Sequence, residues 1–274
     1  MRTALGLIKA CHPEPTLAVT TVAALLAVGT GRSAAGVVAV AATILASQLA
    51  VGWANDAIDA PRDAAVGRAG KPIVAGRVSR RTVAVGAVVA AAVTAPLALL
   101  SGVPAALVAT VGLASALLYD WPLKSTAVSV VPYAVSFAAL PAFVVLGVAR
   151  PPGWLLAAGA LLGAGAHFAN VLPDLDDDAR TGVRGLPHRL GAGWSAAAAA
   201  GLLLAATAAL AFGPPGPPSW VGLAGLLAAV LVLLVGGYAA SRHPGSRLPF
   251  LAILVVAVLD VVLLLAAGAL LSAG

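Results

Sequence analysis

The chain has 274 residues; 61% are hydrophobic, 9% are charged, and mean hydropathy is +1.03. A soluble domain usually carries about 25% charged residues. The composition therefore excludes an ordinary soluble enzyme, a disordered chain and a coiled coil, and fits an integral membrane protein in the lipid bilayer. The formal net charge of +6 needs no nucleic-acid partner, because membrane proteins collect Lys and Arg in their cytoplasmic loops. The single cysteine, Cys11, excludes an internal disulfide and a cysteine-based metal cluster.

Nine apolar stretches follow in chain order: 16–30, 34–54, 82–100, 103–118, 127–148, 153–172, 193–212, 219–240 and 248–271. Each is read as a membrane span, for which about 20 apolar residues suffice; the first and fourth are short. Arg2 and Lys9 precede the first stretch as in a signal peptide, but His12-Pro13-Glu14-Pro15 interrupts the approach and no clean cleavage site follows. The first stretch is expected to remain as a helix. Only Ser101-Gly102 separates the third from the fourth, which implies a tight hairpin. With the N-terminus on side one, all of the 16 Lys and Arg residues except Arg32 and Arg150 fall on side one. Side one is then cytoplasmic by the positive-inside rule. Of the 10 acids, only Asp260, inside the last stretch, lies away from that face. The longest polar stretch is 55–81, so residues 1–274 read as one domain without a separate soluble part.

Two acidic clusters mark the cytoplasmic ends of the second and sixth stretches. The first reads Asn55-Asp56-Ala57-Ile58-Asp59-Ala60-Pro61-Arg62-Asp63. Asn55, Asp59 and Asp63 recur every fourth residue, so a helix continued through them shows all of them on one face, with Gly52 and Gln48 behind. Pro61 opposes that continuation. The second cluster reads Asn170-Val171-Leu172-Pro173-Asp174-Leu175-Asp176-Asp177-Asp178. Asp174 and Asp178 repeat the spacing, and Asn170 and His167 extend it backward as a polar stripe. Asp176 and Asp177 point off that face and read as solvated loop charges.

Clustered carboxylates at a membrane mouth repel one another unless a cation neutralises them. Oxygen donors with no Cys and little His suit a hard ion such as Mg²⁺, which commonly bridges a few carboxylates to substrate phosphates. Candidate metal ligands are Asn55, Asp56, Asp59, Asp63, Asn170, Asp174 and Asp178. Candidate diphosphate contacts are Arg68, Lys71, Arg77, Lys124, Arg180 and Arg184. The pattern reads as a Mg²⁺–diphosphate site at the cytoplasmic end of an apolar helical cavity, with the organic tail among helices open to lipid. Solvated helix ends would be the plain alternative for one cluster; two with the same spacing on the same side speak against it. Asp260 is either a cavity group or a protonated acid bonded to a neighbouring helix, and His167 either orients a ligand, contacts an acceptor or is a satisfied core histidine.

At these residues the chain resembles the UbiA superfamily of intramembrane prenyltransferases. Asn55, Asp56, Asp59 and Asp63 match that family's Asn-Asp-x-x-Asp-x-x-x-Asp signature, and Asp174 and Asp178 match its Asp-x-x-x-Asp. The run Asp174 to Gly182, followed by Arg184-Gly185-Leu186-Pro187, is similar to the menaquinone-pathway and chlorophyll-synthase branches. Arg68-Ala69-Gly70-Lys71-Pro72 through Gly76-Arg77-Val78 resembles the loop after the first signature; Lys71 stands where Arg is usual, keeping the charge but losing the bidentate fork. Tyr119-Asp120-Trp121-Pro122-Leu123-Lys124 looks like the family's Tyr-then-Lys element at a different spacing.

The resemblance covers nearly the whole chain. It implies an all-α membrane protein whose nine transmembrane helices surround a central cavity open to the cytoplasmic side and to lipid. It further implies Mg²⁺ ions holding an isoprenyl diphosphate, a cell (inner) membrane location, and Asp59, Asp174, Lys124 and Tyr119 in the catalytic set. Ionisation of the diphosphate would give an allylic cation, which the faces of Tyr119, Tyr133, Phe137, Phe168 or Trp121 are placed to shield, and an acceptor, usually aromatic, would attack it. A terpene cyclase on the same scaffold would instead use the isoprenoid's own alkene. A transporter would need a polar path across the membrane, and side two is almost free of charge.

Overall fold

The computed structural model describes residues 2–243 and 246–271. Among them are helices α1 (Arg2–Ala10), α2 (Pro13–Gly29), α3 (Ala34–Ala65), α4 (Arg80–Leu99), α5 (Val103–Asp120) and α6 (Val130–Leu146). They continue with α7 (Gly153–Val171), α8 (Leu175–Arg180), α9 (Leu186–Phe212), α10 (Trp220–Arg242) and α11 (Leu248–Leu271). Short 3-10 turns stand at Leu123–Ser125 and Leu172–Asp174, and the described residues contain no strand.

Seven helices are long and apolar enough to cross a membrane: α3, α4, α5, α7 with its continuation to Arg180, α9, α10 and α11. The number rises to eight if α1 and α2, bent by 62° at their junction, form one span. α6 has 17 residues and falls below that length. At 1.5 Å per residue, such a helix covers roughly 26 Å, less than the roughly 30 Å hydrocarbon core. Every apolar stretch read from the sequence is helical, but length and composition support fewer crossings than nine.

Local chemistry explains the helix ends. Ser33, Ser79 and Ser219 start α3, α4 and α10 by accepting from the backbone N–H of Gly36, Thr82 and Gly222. Gly102, at φ 97°, makes the tight α4–α5 hairpin that a side chain would strain. Successive long helices pack side by side, and α11 returns onto both α9 and α2, which closes the bundle. Two shallow apolar grooves open on its outside. One, of about 480 Å³, lies where Leu7, Leu49, Trp53, Val85 and Val89 meet; the other, of about 320 Å³, runs between α10 and α11.

Small residues permit the closest helix contacts, as van der Waals packing in lipid requires. A Cβ on Gly163 would lie 2.5 Å from both the Tyr133 carbonyl oxygen and the Phe137 Cβ, so α7 meets α6 backbone to backbone there. At the far end of the bundle Arg32 is a cap rather than a loop charge. Its Nε donates to the Val144 carbonyl at 2.9 Å, Nη1 to Ser101 Oγ at 3.0 Å, and Nη2 to the Phe143 carbonyl at 3.3 Å. The cation thus meets the negative end of α6, and burial lowers its pKa from the ordinary guanidinium value.

α3 does not end at Pro61; it runs on to Ala65. Proline has no N–H for the carbonyl one turn back, that of Ala57. Arg80, at the start of α4, supplies the missing donor: its Nε lies 2.7 Å from the Ala57 oxygen. Arg80→Ala is expected to lower stability by about 1–3 kcal/mol, the usual cost of an orphaned buried carbonyl, read as a lower thermal midpoint in detergent. Most of that loss should vanish in a Pro61→Ala background, where the backbone N–H returns. An equal loss in both backgrounds would refute this account.

Candidate active site

The continuation of α3 places its acids on an inward face. Asp56, Asp59 and Asp63 are 2%, 8% and 2% exposed. Each has a basic partner. Lys71 Nζ donates to Asp56 Oδ1 at 2.7 Å; Arg62 Nη2 donates to Asp59 Oδ2 at 3.0 Å; Arg68 Nη1 reaches Asp63 Oδ1 at 3.4 Å. Lys124, on the 3-10 turn after α5, donates to Asp59 Oδ1. The half-buried Asn55 is held by Asp120, the last residue of α5: its Nδ2 lies 3.0 Å from Asp120 Oδ1.

The second cluster departs from the expected stripe. Pro173 has no N–H for the Ala169 carbonyl, and the chain passes through the 3-10 turn before α8 begins at Leu175. His167, Asn170, Asp174 and Asp178 therefore do not share one continuous helical face. His167 is buried, its Nε2 3.0 Å from Ser129 Oγ, which also accepts the Leu186 backbone N–H at 2.9 Å. Asn170 Nδ2 donates to the Tyr133 hydroxyl at 3.3 Å. Asp174 is exposed, and Asp178 is half-buried with His188 Nε2 3.8 Å away.

The two clusters nevertheless come near each other. Asp178 lies within electrostatic reach of Arg62 and Arg68, and Tyr119 within reach of Asp59, Asp120 and Asp178. Beneath them the aromatic candidates form one group. The Tyr119 and Tyr133 centroids are 4.8 Å apart and edge-on; Tyr133 lies 6.0 Å from Phe137 and 5.0 Å from His167; His167 lies 5.6 Å from Phe168. Trp121 is exposed and stands outside it. Gly163 sets this geometry, since its close approach positions Tyr133 and Phe137 together.

Of the proposed diphosphate contacts, the structure brings Lys71, Arg68 and Lys124 onto the first acid cluster. Arg180 pairs with Asp177 on its own turn, and Arg77 and Arg184 are exposed on their loops. Sequence reasoning passed over Arg62, Asp120 and His12. Arg62 was detectable, since it follows Asp59 at helical i+3 spacing. Asp120 had a weaker signal, its place beside Tyr119. His12 had none: it sits at φ 54°, rare for a residue with a Cβ, at the α1–α2 bend. From there its Nε2 lies 3.5 Å from Asp56 Oδ1 and 3.3 Å from Lys71 Nζ. α1 is held in place by Trp53, whose Nε1 donates to the Leu7 carbonyl at 2.9 Å.

Among the described residues no three His, Cys, Asp or Glu side chains converge as a ready-made metal centre. The oxygen-rich donor set still suits Mg²⁺, which needs only one or two carboxylates when phosphates and waters complete its shell. Asp56 Oδ2 and Asp120 Oδ2 are buried oxygens without a hydrogen-bond partner. Asp260 shares that pattern within the bundle: Thr207 Oγ1 donates to its Oδ1 at 2.6 Å, its Oδ2 has no hydrogen-bond partner among the described residues, and both residues are fully buried.

No curated protein matches the chain in sequence. Among solved structures it is similar to a UbiA homolog from Archaeoglobus fulgidus bound to GPP and Mg²⁺, at 17% identity and a TM-score of 0.73, over 98% of this chain and 100% of that one. It is also similar to a digeranylgeranylglyceryl phosphate synthase, at 14% identity and a TM-score of 0.75, over 98% of this chain and 99% of that one. A third likeness is to the apo structure of a UbiA homolog from Aeropyrum pernix K1, at 22% identity and a TM-score of 0.67, over 95% of this chain and 98% of that one. At these identities the likeness concerns the fold. The sequence model of the UbiA prenyltransferase family matches residues 16–253, a range that holds both acidic clusters, the Lys71 loop and the Tyr119–Lys124 element, and the chain belongs to that family.

Proposed function

We propose that this prenyltransferase uses Mg²⁺ to ionise an isoprenyl diphosphate at the cytoplasmic end of the bundle and transfers the prenyl group to an aromatic or quinone-precursor acceptor. The observation that carries the reading is the buried acid row of α3 with Lys71, Lys124, Arg62 and Arg68 already seated on it. Its likeness to a homolog bound to GPP and Mg²⁺ supports the same reading.

In this proposal Asn55, Asp56, Asp59 and Asp63 on one side and Asn170, Asp174 and Asp178 on the other supply oxygen donors to the metal. When bound, Mg²⁺ would neutralise charge on the departing diphosphate. Lys71, Lys124 and Arg68 exchange part of their hold on the α3 carboxylates for diphosphate oxygens, and Arg77, Arg180 and Arg184 approach from the loops. Preorganised cations of this kind favour the charge that develops as the allylic carbon–oxygen bond breaks and its electron pair leaves with the diphosphate. Tyr119, Tyr133, Phe137 and Phe168 present π faces to the allylic cation. The prenyl tail lies in a central cavity between helices, and the acceptor carbon attacks the cation from there.

The aromatic group also favours a second reading. A cyclase needs the same ionisation and the same π surfaces, with an alkene of the isoprenoid as nucleophile. Detergent-purified chain given Mg²⁺ and an isoprenyl diphosphate without acceptor should leave the substrate intact, with consumption only once a phenol or quinone precursor is added. A cyclic hydrocarbon product without acceptor would select the cyclase.

Asp59→Asn and Asp174→Asn are each expected to slow diphosphate release by on the order of 10²–10³, the loss typical when a group that stabilises transition-state charge is removed. Release unchanged by both substitutions would end the ionisation reading.

A further inference from the structure

We infer that Asp120 is a positioning residue for Asn55, holding its amide so that the carbonyl oxygen, and not the NH₂ group, is free to face the acid cluster as a donor to Mg²⁺. The inference rests on the Mg²⁺ reading above.

Asp120 ends α5 and is 3% exposed. Its Oδ1 lies 3.0 Å from the side-chain nitrogen of Asn55. The structure turns the nitrogen of Asn55 toward Asp120, with Nδ2 donating to Oδ1. The opposite end of the same planar amide is the oxygen. Two neighbours fix where that oxygen matters. Asp56 follows Asn55 directly, and Asp59 lies one helical turn on, so Asn55 belongs to the row whose remaining members carry Lys71, Arg62, Lys124 and Arg68. An Asn that offered N–H to this row would be useless to a cation; one that offers oxygen is a neutral hard donor.

The choice of an acid at position 120 has a physical meaning. A buried carboxylate without a basic partner is costly, and Asp120 bonds an uncharged amide while its Oδ2 has no hydrogen-bond partner. A structural link between α3 and α5 needs only a neutral acceptor. The carboxyl group at position 120 fixes the orientation of a metal-binding group, as carboxylates behind ligating side chains commonly do. Position also links the two tasks, because Lys124, which neutralises Asp59, is four residues beyond Asp120 on the same connection. One segment thus orients the first residue of the row and neutralises Asp59, the second acid after it.

The test is calorimetric titration of Mg²⁺ into the full chain in detergent with geranyl S-thiolodiphosphate, an analogue whose carbon–sulfur bond resists ionisation, so binding is read without turnover. Asp120→Ala should weaken Mg²⁺ binding by about tenfold or more, within the 10–100-fold range for groups that orient metal ligands. In an Asn55→Ala background the same substitution should add less than about twofold, since its only target is gone. The swap Asn55→Asp with Asp120→Asn keeps the volume, the net charge and the hydrogen bond with its polarity reversed, and still presents an oxygen to the row. It should bind Mg²⁺ no more weakly than the wild-type chain, since an oriented oxygen still meets the row. The swap decides the matter if Asp120→Ala does not fold. Unchanged binding in Asp120→Ala, an equal loss in both backgrounds, or a swap that binds about tenfold more weakly than the wild-type chain would overturn the inference while leaving the Mg²⁺ reading in place. A wild-type chain that binds no Mg²⁺ beside the analogue would overturn both.

Discussion

Buried carboxylates on the last turns of one membrane helix repel each other, and that repulsion organises the cytoplasmic end of this fold. Asp56, Asp59 and Asp63 follow one another along α3 with almost no exposure. In a low-dielectric setting each needs a counter-charge. The chain draws them from several places: Arg62 from α3 itself, Arg68 and Lys71 from the connection to α4, and Lys124 from the connection between α5 and α6. The course of both connections follows from this requirement. The arrangement leaves four partly buried basic side chains gathered along one row of acids.

Keeping the acids in a row depends on helix continuity, and two prolines show how context decides it. Pro61 and Pro173 both remove the N–H due to a carbonyl one turn back. At Pro61 the Ala57 carbonyl finds Arg80, and α3 continues to Ala65. At Pro173 the chain tightens into a 3-10 turn, and α8 sets off after it. The first cluster is therefore a rigid face. The second is a short turn opposite it, with Asp174 exposed and Asp178 half-buried.

Much of this was legible in the residues. In lipid, apolar length decides which stretches become helices, and i, i+4 spacing decides which acids share a face, so the helical stretches and the acid row of α3 could be read directly. Lys71 and Lys124 were legible as bases near the acids. What could not be read depended on contacts far apart in the chain. Asn55 and Asp120 stand 65 residues apart, and nothing local links them. His12 reaches Asp56 only because the bend at a left-handed residue turns it there. The pairing of Arg180 with Asp177, an acid at i−3 on its own turn, depended on α8 forming where the spacing alone did not show a helix. Nine crossings are not confirmed by length, because apolar composition does not supply it: α2 and α6 each have 17 residues.

Buried acids in this fold are satisfied in a manner that changes with depth. Asp56, Asp59 and Asp63 at the end of α3 meet Lys and Arg, while Asp120 at the end of α5 meets the Asn55 amide. Asp260, midway along α11, meets the Thr207 hydroxyl instead. A base at that depth would have no aqueous end to snorkel toward and would be costly, whereas a hydroxyl on α9 adds no charge. The surroundings are apolar: Leu203, Leu210, Val256, Leu263 and Leu264 are buried in the clusters on either side. Among the described residues the paired acids and bases of the α3 row gather at one end of the bundle, and Asp260 stands apart from them with its hydroxyl partner.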